Sequence, residues 1–276
     1  MTLLGLSGAS GFIGKHVIEL CAELNINFVD ISLRGSKEDI AKSLKHFNKL
    51  CHYSQSASII HLAENNEISN AESSGIDYVL ENTSRIENIL LNTTAKITYA
   101  SSAGVYGDIH QEVHLPDKKI VGQNLYSQSK LACEKLVLDS GGTVARISNV
   151  YGPGMSKKNI ISEVLAQINK QDLKKVQIRD GSPIRDFINV KDVASCLIYM
   201  SRMQKKGVYN VATGSTITMK ELTLKILSIF GKSNCIIEET NKSKIFSSIS
   251  LDISNTKNTF NWSPKISLAQ GLKKLK

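Results

Sequence analysis

A chain of 276 residues with 41% apolar and 21% charged side chains can build one large α/β core, or one such core with a smaller neighbour. No apolar run approaches the ~20 residues of a membrane-spanning helix, and the strand-like Leu3-Leu4-Gly5-Leu6 comes so early that no cleavable signal is expected. The net charge of +9 rests on dispersed lysine pairs with few aromatics between them, such as Lys118-Lys119 and Lys174-Lys175, which reads as solvated surface and not as a nucleic-acid stripe. The five cysteines are odd in number, scattered and without metal-like spacing, as expected of reduced, buried thiols in a cytoplasmic protein.

In chain order, the first half alternates apolar β-rich runs with longer helix-like stretches, the pattern of βαβ units. Strands are predicted at Leu3–Ser7, Asn27–Ser32, Ser58–Leu62, Lys96–Ser101 and Thr143–Ile147. Helices are predicted between them at Phe12–Leu24, Lys37–Leu50, Ile76–Asn92 and Ser127–Asp139. The strand runs barely alternate, as expected where helices cover both faces of a parallel sheet. After Tyr151 the pattern loosens at Gly152-Pro153-Gly154. There follow a helix over Ile160–Asn169, a short strand over Val176–Ile178, a helix opening near Val190, a helix over Met219–Phe230 and a closing Trp262-Ser-Pro264. The expected architecture is α/β: a Rossmann-like doubly wound parallel sheet over 1–151, with a smaller α+β substrate-binding portion over 152–276. Part of 176–204 is expected to pack back on the first domain.

Gly8-Ala-Ser10-Gly11-Phe12-Ile13-Gly14 lies directly between the first strand and the first helix. Gly8 allows a tight turn, Gly11 lets backbone approach a pyrophosphate, and Gly14 lets the helix pack closely on the sheet. The helix N-terminus then faces the phosphates. Tyr126-Ser-Gln-Ser-Lys130 places a phenol and an ammonium at i, i+4 on one helix face. A phenol with a pKa of about 10 is a poor proton carrier at neutral pH, and a nearby ammonium brings it toward the working range. Ser102 closes the fourth strand, at the carboxyl edge where such sheets bind ligands. Its hydroxyl can hold a substrate carbonyl there, or simply cap the following turn.

These segments, taken in order with Ile60-His61-Leu62-Ala63 and Ser101-Ser102-Ala-Gly-Val105-Tyr106-Gly107, resemble the extended short-chain dehydrogenase/reductases. Arg146-Ile-Ser-Asn149-Val-Tyr151-Gly152-Pro153 and Arg185-Asp186-Phe187 through Asp192-Val193 are similar to later signatures of its nucleotide-sugar epimerase, dehydratase and reductase branch. Tyr209-Asn210 and Trp262-Ser-Pro264 resemble its closing landmarks. The resemblance implies that Tyr126 exchanges the proton, Lys130 tunes it and binds the nicotinamide ribose, and Ser102 orients the carbonyl. It implies a nicotinamide dinucleotide held by Gly8, Ser10, Gly11, Phe12, Ile13, Gly14, Leu62 and Ala63, and a nucleotide-diphosphate sugar held by Asn149 and Arg185. His61 is read as a strand-end residue of the fold without chemistry. His110, Glu112 and His114, expected in a loop after Gly107, are not read as a metal site.

Departures from the pattern narrow the reaction. Dehydratases of the branch carry an Asp-Glu pair directly after the hydroxyl residue, and here Ala103 and Gly104 stand there, so that chemistry is set aside. The leading expectation is a reductase of a 4-keto-(6-deoxy)hexose. The alternatives are a 4-epimerase and, from another class, a non-catalytic dinucleotide-binding scaffold or RNA-binding protein; a homodimer is one assembly open to the chain. Counting from Gly14, the family's acidic position in the second strand falls on or near Ser32, with Asp30 earlier on the same face and Arg34 just beyond. A small hydroxyl followed by a cation favours NADP, whereas a ribose held by Asp30 would restore NAD.

Overall fold

A computed structural model describes residues 2–64, 68–107, 109–118, 120, 122–169, 173–243 and 246–276. The chain runs through β1 (Thr2–Ser7), α1 (Phe12–Glu23), β2 (Asn27–Asp30), α2 (Lys37–Cys51), β3 (Ser56–His61), α3 (Ile68–Ser74), α4 (Ile76–Asn92) and β4 (Lys96–Ser102). A 3-10 turn over Ala103–Tyr106 leads into β5 (Ile109–His114), α5 (Leu125–Asp139), β6 (Thr143–Ile147), β7 (Asn149–Tyr151), α6 (Ile160–Ile168), β8 (Lys175–Ile178) and β9 (Ile184–Asn189). It closes with α7 (Val190–Met203), β10 (Gly207–Val211), β11 (Thr216–Thr218), α8 (Met219–Ile229), β12 (Ile236–Glu239), β13 (Ser248–Leu251), α9 (Ser254–Phe260) and α10 (Leu268–Lys273).

The main sheet has six parallel strands in the order β10-β6-β4-β3-β1-β2, with helices on both faces. This is the Rossmann-like arrangement, and its central strands are largely buried because helices cover both faces. Every residue of β6 is buried, as are Leu3 to Ser7 of β1. One core layer joins Leu4, Leu6 and Ile60 to Val17 of α1 and Leu197 of α7. The other joins Ile59, Ile97 and Tyr99 to Leu44 of α2, Ile86 of α4 and Cys133 of α5.

The segment that returns to this sheet is α7 with β10, where Val208 pairs with Val144; β8 instead pairs with β12 in a separate two-stranded sheet. Within 176–204 it is α7 that packs on this sheet, and β10 carries the return past 204. A second sheet orders β11-β9-β13-β5 and takes β7 onto β9. Asn210 ties the two together: its amide donates to the carbonyls of His114 and Asp252 at 2.9 Å, and it accepts from the Tyr106 hydroxyl at 2.7 Å. Trp262, buried, donates to Ser195 at 2.9 Å, while Asp192 accepts the Lys265 and Ile266 amides at 3.0 Å, which pins the closing segment on α7.

Two local expectations are corrected. β2 ends at Asp30 and not at Ser32: the Ile31 amide still reaches Leu6, but the Ser32 amide turns to the Ser43 hydroxyl of α2 and leaves the ladder. Residues 109–114 form a strand and not a loop, because β13 provides a parallel partner for β5. His114 there is buried and stacked on Tyr106 at 4.6 Å, and Glu112 pairs with Lys118. Among the described residues no cluster of His, Cys, Asp and Glu could hold a metal, and no helix is long and apolar enough to cross a membrane.

Candidate active site

The glycine turn has the geometry its spacing predicts. Gly8 sits at φ +83°, a conformation that favours glycine. A methyl group at Gly14 would lie 2.2 Å from the Gly8 carbonyl and 2.8 Å from that of Ala9, so no side chain fits under the turn. Gly11 stands at the N-terminus of α1 with no side-chain cap, and Gly11 to Gly14 line a cavity there.

From this turn two cavities diverge along the carboxyl edge of the sheet. One, of about 460 Å³, runs over Ser10, Asp30, Ser32, Arg34 and Ala63 to Glu81 and Arg85 of α4. The other, of about 360 Å³, is lined by Phe12, Ile13, Gly14, Ser102, Tyr126, Lys130, Ser148 and Val150. Gly8, Gly11, Leu62 and Glu64 line both, so together they make one trough. The trough suits a dinucleotide: amides of a helix start lie at its middle, arginines at one end and a phenol with an ammonium at the other.

At the second end, α5 begins two residues earlier than predicted. Asn124 and Ser127 form a reciprocal capping box that fixes the first turn and with it Tyr126. Lys130 lies one turn on, nearly fully buried, its Nζ 5.8 Å from the centre of the Tyr126 ring. Ser102 caps the 3-10 turn by accepting the Gly104 amide at 3.1 Å, and it lines the cavity as well, so the capping and ligand-facing readings coexist. A methyl group on Gly104 would come within 3.3 Å of the Ser102 hydroxyl and 3.5 Å of the Tyr126 ring. The two hydroxyl-bearing residues thus flank a position that carries no side chain.

Lys130 is held from the sheet side. It forms a buried ion pair with Glu64 and donates to the Ala100 carbonyl at 3.3 Å. Burial alone would lower its ammonium, but the Glu64 carboxylate and Tyr126 raise it above the usual lysine range. Burial likewise disfavours the Glu64 carboxylate, and Lys130 together with His61 and the Tyr99 hydrogen bonds more than offsets this, leaving it below the usual range. Tyr99 completes the group by donating to both Glu64 oxygens at 2.7 and 2.9 Å.

The sugar-side expectations are less converged. Asn149 opens β7, exposed, between the cavity-lining Ser148 and Val150, and pairs in register with Phe187, two residues from Arg185. Arg185 donates to the Ile184 carbonyl at 2.9 Å and to Ser247 at 2.6 Å. Neither lines the trough as it stands. Asp186, buried, turns instead to Thr213, Ser215 and Ser148. His61 is buried, bonded to Ser7 at 2.7 Å and stacked on Tyr99, and burial pushes its imidazole down to about 4, in keeping with a structural role.

Sequence reading misses Glu64, Tyr99, Glu81 and Arg85. Glu64 directly follows Ala63, three residues past the end of β3, a position from which a carboxylate can reach the trough, and that was the available signal. Glu81 and Arg85 form an i, i+4 ion pair, which in sequence looks like any solvated helix face.

Known proteins resemble this chain along nearly its whole length. The NAD dependent epimerase/dehydratase family matches residues 5–212, and the chain belongs to it. It is 27% identical to UDP-glucuronic acid decarboxylase 3 of Arabidopsis thaliana, over 97% of this chain and 86% of that protein. It is 26% identical to GDP-6-deoxy-D-mannose reductase of Pseudomonas aeruginosa, over 98% of this chain and 94% of that protein. Among solved structures, RMD from Pseudomonas aeruginosa complexed with NADPH superposes with a TM-score of 0.84 at 23% identity, covering 100% of this chain and 97% of that one.

Proposed function

We propose that this protein is an NADP(H)-dependent reductase of a 4-keto sugar, of the 6-deoxyhexose kind, carried on a nucleoside diphosphate. The observation that supports it is the meeting of Ser102, Tyr126 and Lys130 on a cavity continuous with the glycine turn, with Ala103 and Gly104 where elimination chemistry would need an acid and a base. When bound, the nicotinamide supplies the hydride. The chain's part is to orient the sugar carbonyl through the Ser102 hydroxyl and to pass the Tyr126 proton to its oxygen as charge develops there. Purified protein supplied with nucleotide-linked 4-keto-6-deoxyhexoses is expected to consume NADPH. If no such sugar is reduced, the reading falls.

Ser32, Arg34 and the unforeseen Arg85 line the first cavity, an environment for a 2′-phosphate. Charge-assisted bonds of about 1.5–3 kcal/mol imply that Arg34→Ala weakens NADPH by roughly 10–100-fold and leaves NADH nearly unchanged. Competitive binding reads this directly, and wild type binding NADH as well as NADPH would refute the preference. Asp30, at the very end of β2 in the same cavity, supports a second reading: NAD held by its ribose hydroxyls, in a 4-epimerase that never releases its coenzyme. Coenzyme retained through purification would favour that reading.

Arg185→Ala is expected to raise KM for the sugar nucleotide about tenfold or more with coenzyme affinity unchanged. A guanidinium that exchanges Ser247 for a diphosphate can do so with two parallel bonds, so Arg185→Lys should replace it poorly. Normal substrate binding by both variants in calorimetry would remove Arg185 from the site.

A further inference from the structure

Among the described residues, Glu64 is the one titratable residue that lines both halves of the trough. Its side chain is 2% exposed, it accepts two bonds from Tyr99, and it pairs with the Lys130 ammonium. Burying a carboxylate is costly unless its partners are in place. Holding Lys130 beside Tyr126 does not by itself require one, since the Ala100 carbonyl already accepts from the same ammonium.

What the carboxylate changes is the charge of the cavity. Resting on the reading that this end of the trough receives a nicotinamide, we infer that Glu64 is a positioning residue that anchors Lys130 and supplies the counter-charge favouring the oxidised, positively charged coenzyme over the reduced one. Lys130 alone would place one uncompensated positive charge beside the ring. With Glu64 the pair is neutral.

The other groups facing the pair do not alter this balance. On β3, His61 is held neutral by burial, pushed down to about 4. On β4, burial and Glu64 keep the Tyr99 phenol protonated, and on α5 the Cys133 thiol is pushed up by burial and by Glu64. On α4, burial pushes Tyr78 up to about 12, and Arg85 is matched by Glu81. Glu134, one turn beyond Lys130 on α5, is matched by Arg146. Glu64 and Lys130 therefore set the charge between them.

The test measures dissociation constants of NADP+ and NADPH on the intact protein, without substrate, at about pH 6, where lysine keeps its proton. A unit charge about 8 Å from the ring, at an effective dielectric of about 20, corresponds to roughly 30-fold in affinity. Glu64→Gln is expected to raise the ratio of the NADP+ constant to the NADPH constant by about 10–30-fold, while Glu64→Asp, which keeps the charge, stays within about threefold of wild type. A ratio that Gln leaves unchanged, or that Asp shifts as far as Gln, overturns the inference, because loss of packing alone weakens both forms alike. Should the Gln variant bind neither form, Lys130→Met decides. Without its cation the buried Glu64 is neutral at about pH 6 and ionised by about pH 9, so in this variant the ratio must fall about tenfold across that range, and no fall overturns the inference. Wild type that binds neither coenzyme would refute the dinucleotide reading itself, a result separate from binding with an unaltered ratio.

Discussion

Tyr126→Phe is expected to lower turnover by about 10²–10⁴-fold, the range for removing a positioned acid–base group, with NADPH affinity within about twofold of wild type. The substitution deletes one oxygen and leaves the ring where the helix start holds it. Asn124 and Ser127 cap α5 through backbone amides and do not involve the phenol. The Lys130 ammonium keeps Glu64 and the Ala100 carbonyl as partners, so its position does not depend on the hydroxyl. The loss should therefore fall on kcat, with the melting temperature little changed. More than about a tenth of the wild-type kcat remaining would take Tyr126 out of the mechanism. A matching loss of NADPH binding would instead assign the tyrosine to coenzyme capture.

The parts of the fold that sequence makes plain are those whose reasons are local. β1 and β6 are short apolar runs without alternation, the glycine turn has a spacing only tight backbone explains, and α5 carries its own cap. What escapes is long-range. β7 is three residues long and exists because β9 lies beside it. β9 itself reads as a polar signature, Arg185-Asp186, because Asp186 finds its partners in Thr213 and Ser215 far along the chain. β5 looks like loop until β13 arrives more than a hundred residues later. Glu64 follows the same rule, since its partner Lys130 is 66 positions away. Candidate residues at the ends of predicted strands and starts of predicted helices are legible in the sequence, and the structure brings Ser102, Tyr126 and Lys130 to one cavity. The charges that tune them depend on which elements the topology brings together.

The largest expected effect on stability comes from Arg146, at the end of β6. Its guanidinium grips Glu134 of α5 with two bonds, Nε to Oε1 at 3.0 Å and Nη2 to Oε2 at 2.6 Å, with both side chains at most 6% exposed. Glu134 also accepts from Ser101 at 2.5 Å, while Arg146 donates to the Tyr106 hydroxyl and the Pro116 carbonyl at 3.2 Å and lies over the Tyr106 ring. One pair thus binds β4, β6, α5 and the 3-10 turn that Ser102 caps. Arg146→Met keeps most of the side-chain volume but strands a buried carboxylate, and should cost about 3–5 kcal/mol in urea unfolding. Much of that cost belongs to the unmatched charge and not to the value of the pair. Replacing both partners with apolar residues, as in Arg146→Met with Glu134→Leu, should therefore recover a large part of it, because neither desolvated ion remains. A single variant within about 1 kcal/mol of wild type would show that water or another group already satisfies Glu134. A double variant no more stable than the single one would instead place the energy in the bonds to Ser101, Tyr106 and Pro116.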